Sequence, residues 1–109
     1  MIKPTANRPV PAYSLVIPAY DASAVIAATL DEIRGAVASA DEPTEVIVVD
    51  DGSGDATART VEAATAGWPD SSALRLLRHR TNRGKGAAVR TGMIAARGRH
   101  RIFTDADLA

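Results

Sequence analysis

Two carboxylates, Asp105 and Asp107, stand two positions apart after a short apolar run near the end of the chain. Hard oxygen donors at that spacing suit Mg²⁺ or Mn²⁺, which commonly bind one or two carboxylates and leave their other positions to substrate phosphates. A metal held in this way can stabilise charge on a diphosphate leaving group. A second acidic group, Asp50-Asp51-Gly52-Ser53, closes the longest apolar strand-like run. A carboxylate there can accept hydrogen bonds from a base N–H or a ribose hydroxyl, and Gly52 lets the backbone come close to a ligand. A third group, Asn82-Arg83-Gly84-Lys85-Gly86, opens a helix. Glycines, a helix N-terminus and a cation together suit an anion such as phosphate. The spacing is not that of a Walker A loop, which separates its first Gly from the Gly-Lys pair by four residues. His79 has no acidic or histidine partner at a recognisable spacing and reads as a surface residue. Taken singly, each group also reads as a helix cap or a polar strand end, so function depends on whether the fold brings them together.

The elements that would position them alternate. Tyr13–Ile17 is a short apolar strand stopped by Pro18. Ile26, Leu30, Ile33 and Val37 recur at helical spacing, predicting a helix over about 23–38, with Asp21 or Ser23 as its cap. Glu45–Asp50 is apolar almost throughout and suits a central parallel strand covered on both faces. Asp55 can cap an alanine-rich helix over about 56–65. Leu74–Leu77 reads as a third strand, 85–96 as a third helix ended by Gly98, and His100–Thr104 as a fourth strand. The order β-α-β-α-β-α-β predicts an α/β fold, a Rossmann-like open and mostly parallel sheet with helices on both faces. In such sheets ligands bind beyond the carboxyl ends of the strands. All three chemical groups fall there, as does Pro18-Ala19-Tyr20-Asp21 after the first strand.

The chain has 109 residues, 46% hydrophobic and 24% charged, as in one small globular domain. It has no cysteine, which excludes disulfides and thiolate metal sites. No apolar run is long enough to span a membrane, and residues 1–12 lack the apolar core of a secretory signal. These residues read as a flexible arm, residues 13–109 as the folded portion, and the location as cytoplasmic. The formal net charge of zero conceals an asymmetry, because residues 71–109 carry nine basic and only two acidic side chains. Phosphate is the natural counterpart of that excess. Nucleic acid is not, because Phe103 alone is interleaved with the basic residues for base stacking. A dinucleotide-binding oxidoreductase is disfavoured because Gly-x-Gly-x-x-Gly is absent after the first strand. A phosphoacceptor signalling domain is disfavoured because the acidic pair follows the second strand instead of the first.

Four segments, Leu15–Tyr20, Val46–Ser53 with Asp55, Asn82–Gly92 and Phe103–Ala109, occur in order and at a spacing that resembles family 2 glycosyltransferases of the GT-A fold. The third segment and the Asp-Ala-Asp-Leu-Ala ending are similar to the polyprenyl- and dolichyl-phosphate glucosyltransferase group. The resemblance covers residues 13–109 and implies the nucleotide-sugar-binding half of a GT-A domain, truncated before its acceptor half. It implies that Pro18, Ala19 and Tyr20 line the nucleoside pocket and that Asp51, with Val49 beside it, contacts base or ribose. Lys85 would sit near the phosphates. Asp105 and Ala106 would face the donor sugar, and Asp107 would hold the metal, making Asp105 and Asp107 the catalytic pair. The implied reaction moves a hexose, glucose by the narrower resemblance, from UDP-glucose or a GDP-sugar to polyprenyl phosphate with inversion. The implied cofactor is Mg²⁺ or Mn²⁺, and the full-length form would lie at the membrane periphery. The chain departs from the family pattern at Asp21-Ala22, where Asn-Glu is frequent, and at Ala109, where related enzymes often carry Gln. The alternative reading is a non-catalytic nucleotide-binding fragment. In either case the chain alone is expected to be inactive in transfer and to self-associate through an uncovered sheet edge.

Overall fold

The computed structural model describes residues 10–108. The elements are β1 (Tyr13–Ala19), α1 (Ile26–Ala38), β2 (Thr44–Asp51), α2 (Thr57–Thr65), β3 (Ala73–His79), α3 (Lys85–Ala95) and β4 (His100–Phe103). The four strands form one parallel sheet in the order β3-β2-β1-β4. The chain therefore steps outward from β1 to β3, then returns past β1 to lay down β4. Right-handed crossovers require the helices before and after such a reversal to lie on opposite faces. They do: α1 and α2 pack with Ile17, Val46 and Val48 on one face, whereas α3 packs with Val16, Ile47 and Val49 on the other. The α3 face is close-fitting, since a Cβ at Gly92 would overlap the Val16 side chain.

β2 is central and buried from Glu45 to Asp51, as its apolar sequence predicts. β1 runs through Pro18, which was expected to stop it, and pairs Pro18 with Val49. The register explains the tolerance. The Val16 carbonyl faces β4 and accepts the Thr104 N–H, so Pro18, two residues on, directs its missing N–H to the same side, where β4 has already ended. Helix α1 begins at Ile26, three residues later than expected, and neither Asp21 nor Ser23 caps it. Both are drawn into contacts with the loop after β2: Asp21 Oδ1 accepts the Gly54 N–H and the Ser23 N–H donates to Asp55. The expected arm falls largely on residues 1–9, outside the described residues, as does Ala109. Its last two positions are engaged: Ala12 donates to the Pro43 carbonyl, while Pro11 and Ala12 accept from Arg99 and His100.

Candidate functional site

Strand alternation sorts the end of β2 into two faces. Val49 and Asp51 point toward α3, and Asp50 points the other way. Asp50 is wholly buried; its Oδ1 accepts the Ser53 N–H at 3.1 Å and its Oδ2 lies 3.4 Å from Arg78 Nε. Asp51 is 2% exposed, and its carboxylate organises the turn leading into α3. Oδ1 accepts the Arg83 N–H at 2.9 Å, Oδ2 accepts the Gly84 N–H at 2.8 Å, and Oδ1 also meets His79 Nδ1 at 2.7 Å. Burial acts to raise the Asp51 pKa. The hydrogen bonds from His79, Arg83 and Gly84, with attraction to His79, outweigh it and hold the carboxyl below its ordinary value. Gly52, at φ 75°, follows immediately; a side chain there would run into the backbone of Thr81 and Asn82. The loops after β2 and β3 are thus pressed together backbone to backbone.

The loops after β1 and β2 are also tied. Besides the Asp21 and Ser23 contacts, the Asp21 N–H donates to Ser53 Oγ at 2.9 Å and the Ala22 N–H donates to Thr57 Oγ1 at 2.9 Å. Asp21 takes φ 48°, a conformation that Asp and Asn adopt more readily than other side chains. Asp55 accepts from the Thr57 hydroxyl, the Thr57 N–H and the Ser23 N–H, and these bonds hold its pKa far below the ordinary value against a smaller burial effect. These ties position Tyr20, which is about half exposed at the end of β1.

At the end of β4, Asp105 forms an ion pair with Lys85 at the start of α3. The Ala106 carbonyl accepts the Thr29 hydroxyl of α1 at 2.6 Å, fixing the Asp105–Asp107 segment against the opposite face of the sheet from α3. Pro18–Tyr20 and Asp105–Asp107 therefore flank the point between β1 and β4 where the strand order reverses, the usual place for a ligand crevice. Lys85 approaches it from the α3 side.

The structure gives the expected residues their surroundings. The Val49 side chain, expected with Asp51 at the nucleotide, is wholly buried under α3 with Ala88, because its strand parity aims it into the core. His79, read as a surface residue, is 8% exposed and pairs with Asp51. The signal that could have found it is the extension of β3 to residue 79, which sets His79 opposite Asp51 in the register. Lys85 and Asp105 come together, while Asp51 is committed to the turn before α3. Two hollows exist elsewhere. One of about 410 Å³ is lined by Gly52, Ser53, Arg78, His79 and Arg80. The other, about 540 Å³, lies at the opposite end of the sheet, around Pro43, Glu45 and Arg97. Tyr20, Lys85 and Asp105–Asp107 line neither; they stand on an open rim.

The family model for glycosyl transferase family 2 matches residues 14–109. The chain belongs to that family. Among curated relatives, it is 42% identical over 99 residues to a dolichyl-phosphate β-glucosyltransferase of Drosophila melanogaster and 36% identical over 102 residues to one of Dictyostelium discoideum, each match covering 86% of this chain. The chain spans about 30% of the length of either relative. Among solved structures, it superposes on a mannosyltransferase from Pyrobaculum calidifontis in complex with GDP-Man and Mn²⁺, with TM-score 0.76 and 34% identity, covering 89% of this chain and 28% of that one. The Rossmann-like, GT-A type fold expected from the sequence is thus shared with family 2 glycosyltransferases.

The donor set can be tested against the metal ion that this neighbour contains. Among the described residues no three His, Cys, Asp or Glu side chains converge on one point. A cage made wholly of protein is therefore absent from them. The Asp105 and Asp107 carboxylates fit the other mode, in which Mg²⁺ or Mn²⁺ takes one or two carboxylates together with substrate phosphates. No helix among the described residues is long and apolar enough to cross a membrane.

Proposed function

We propose that this chain forms the donor-binding portion of an inverting glycosyltransferase that moves a hexose, glucose by similarity to the dolichyl-phosphate β-glucosyltransferases, from a nucleoside-diphosphate sugar to a polyprenyl phosphate. The observation that carries the reading is the Lys85–Asp105 ion pair at the β1/β4 reversal, where the strand order also sets the half-exposed Tyr20, after β1, and Asp107, after β4. Tyr20 offers a face for a nucleoside, with Pro18 and Ala19 forming the floor. Lys85, at a helix N-terminus, offers a positive charge to a diphosphate. Asp107 would hold Mg²⁺ or Mn²⁺, which supplies electrostatic stabilisation to the diphosphate as it leaves. Asp105 would face the sugar and ribose, with its Lys85 ion pair exchanged for contacts to the donor.

In the proposed reaction an acceptor phosphate oxygen bonds to the anomeric carbon on the face opposite the leaving group. The bond from that carbon to the diphosphate breaks, and the diphosphate departs with the electron pair. A phosphate acceptor is already ionised, so no side chain must remove a proton. The names of the similar dolichyl-phosphate enzymes support the acceptor class, and a peripheral membrane location is proposed with it because a polyprenyl phosphate is a lipid.

Titration calorimetry of the 109-residue chain with UDP and with GDP, with and without Mn²⁺, tests the donor site. Binding is expected to tighten at least tenfold with Mn²⁺, and Asp107→Asn is expected to remove that gain, because the Asp107 carboxylate would hold the ion together with the donor diphosphate. Equal affinity with and without metal would remove Asp107 from the assignment.

A further inference from the structure

The geometry points to His79 as a positioning residue of the donor site, acting through Asp51 on the turn that presents Lys85. The inference rests on the donor-site reading above, but its first observations are independent of it. His79 is 8% exposed, and both ring nitrogens are engaged: Nδ1 with Asp51 Oδ1 at 2.7 Å and Nε2 with Thr91 Oγ1 at 2.8 Å. An ionised carboxylate only accepts hydrogen bonds, so Nδ1 carries a proton and donates it to Asp51. Nε2 is then free to accept the Thr91 hydroxyl. The ring spans from the end of β2 to the second turn of α3.

Asp51 carries this anchoring forward. Its carboxylate takes the Arg83 and Gly84 N–H groups, the two amides immediately before Lys85. Lys85 begins α3 and pairs with Asp105 across the reversal point. His79 touches neither Lys85 nor Asp105. It holds the carboxylate whose orientation fixes the two peptide groups before Lys85. Without the imidazole, a nearly buried carboxylate would lose its only side-chain donor among the described contacts and could turn away from one of the amides. The Lys85 ammonium would then be less well placed for a diphosphate, although the sheet beneath would be intact.

Three variants of the 109-residue chain separate this role from simple packing. His79→Ala removes the donor to Asp51. His79→Asn restores one, because its amide nitrogen occupies nearly the place of Nδ1. Thr91→Val removes only the partner of Nε2. Each is followed by amide hydrogen exchange at Arg83 and Gly84, by thermal melting, and by calorimetry with UDP or GDP and Mn²⁺. Expected for His79→Ala is exchange at both amides quickened about tenfold and nucleotide affinity weakened about tenfold, the scale of one charge-assisted hydrogen bond. His79→Asn is expected to recover most of both. Thr91→Val is expected to lower the melting temperature while exchange and affinity stay within about twofold of the parent. The inference is overturned if His79→Ala leaves exchange unchanged, if Thr91→Val matches it in every readout, or if His79→Asn gives no recovery. Should the parent chain bind neither nucleotide, the donor-site reading fails on its own account, and the exchange data still decide whether His79 holds the turn.

Discussion

β2 carries a buried acid at each end, and the two serve different parts of the molecule. Glu45, 1% exposed near the start of the strand, accepts the Ser14 hydroxyl at 2.5 Å, the Arg97 N–H at 2.6 Å and Arg75 Nη1 at 3.3 Å. Asp51, at the end, accepts from His79, Arg83 and Gly84. Arg97 follows α3 and Gly84 precedes it, so one strand grips the helix at both of its flanking turns. Glu45 does so at the amino ends of the strands, away from the rim where the candidate donor residues lie. Asp51 does so at the carboxyl ends, where the turn it grips also presents Lys85. The same device is therefore architectural at one end and coupled to the candidate site at the other.

Glu45→Ala should break that symmetry most severely. It removes the acceptor of the Ser14 hydroxyl and of the Arg97 amide and leaves Arg75 with only the Ala95 carbonyl among its described partners, and loss of one partner in a buried ionic cluster costs about 3–5 kcal/mol. Denaturant unfolding should register that loss, while any nucleotide affinity measured under folded conditions should stay near the parent value. Asp51→Ala should cost about 2–3 kcal/mol of stability by the same measurement, since hydrogen bonds to a charged group are removed. Unlike Glu45→Ala, it should also weaken nucleotide binding. Equal effects of the two variants on binding would erase the distinction between the two ends.

Acid should affect both ends in the same direction. For Glu45, burial acts to raise the pKa, but hydrogen bonds from Ser14, Arg97 and Arg75 and attraction to Arg75 bring it below the ordinary value; Asp51 is also lowered. A carboxyl with a depressed folded pKa contributes stability that is complete above its unfolded pKa and lost as pH falls through the folded one. Melting temperature should therefore hold steady from neutral pH to about 5 and fall below about 4, with a shallower fall in Glu45→Gln. A flat melting profile down to pH about 3 would contradict both assignments. The smallest expected change comes from Lys85→Ala. Its ion pair with Asp105 is exposed, so stability should shift by under about 1 kcal/mol. Nucleoside-diphosphate affinity should fall by more than nucleoside affinity, which calorimetry with UDP and uridine can compare.

Much of this was legible in the sequence because it depends on periodicity over short spans. The helical spacing of Ile26, Leu30, Ile33 and Val37, the unbroken apolar run of β2 and the alternation of strands with helices determined an α/β fold with helices on both faces. They also determined that Asp51, Lys85 and Asp105–Asp107 fall at strand or helix ends. The strand order, the passage of β1 through Pro18 and the partners of each carboxylate were decided only by the tertiary structure. Pro18 is tolerated because of where a neighbouring strand ends, and the Val49 side chain is core because its parity faces α3. His79 looked solitary because its partners lie 28 and 12 positions away, at Asp51 and Thr91. No local pattern encodes such a contact. It comes into being when β3 takes its register beside β2 and α3 folds back across both, since a hydrogen bond depends on distance in space and a sequence records distance along the chain.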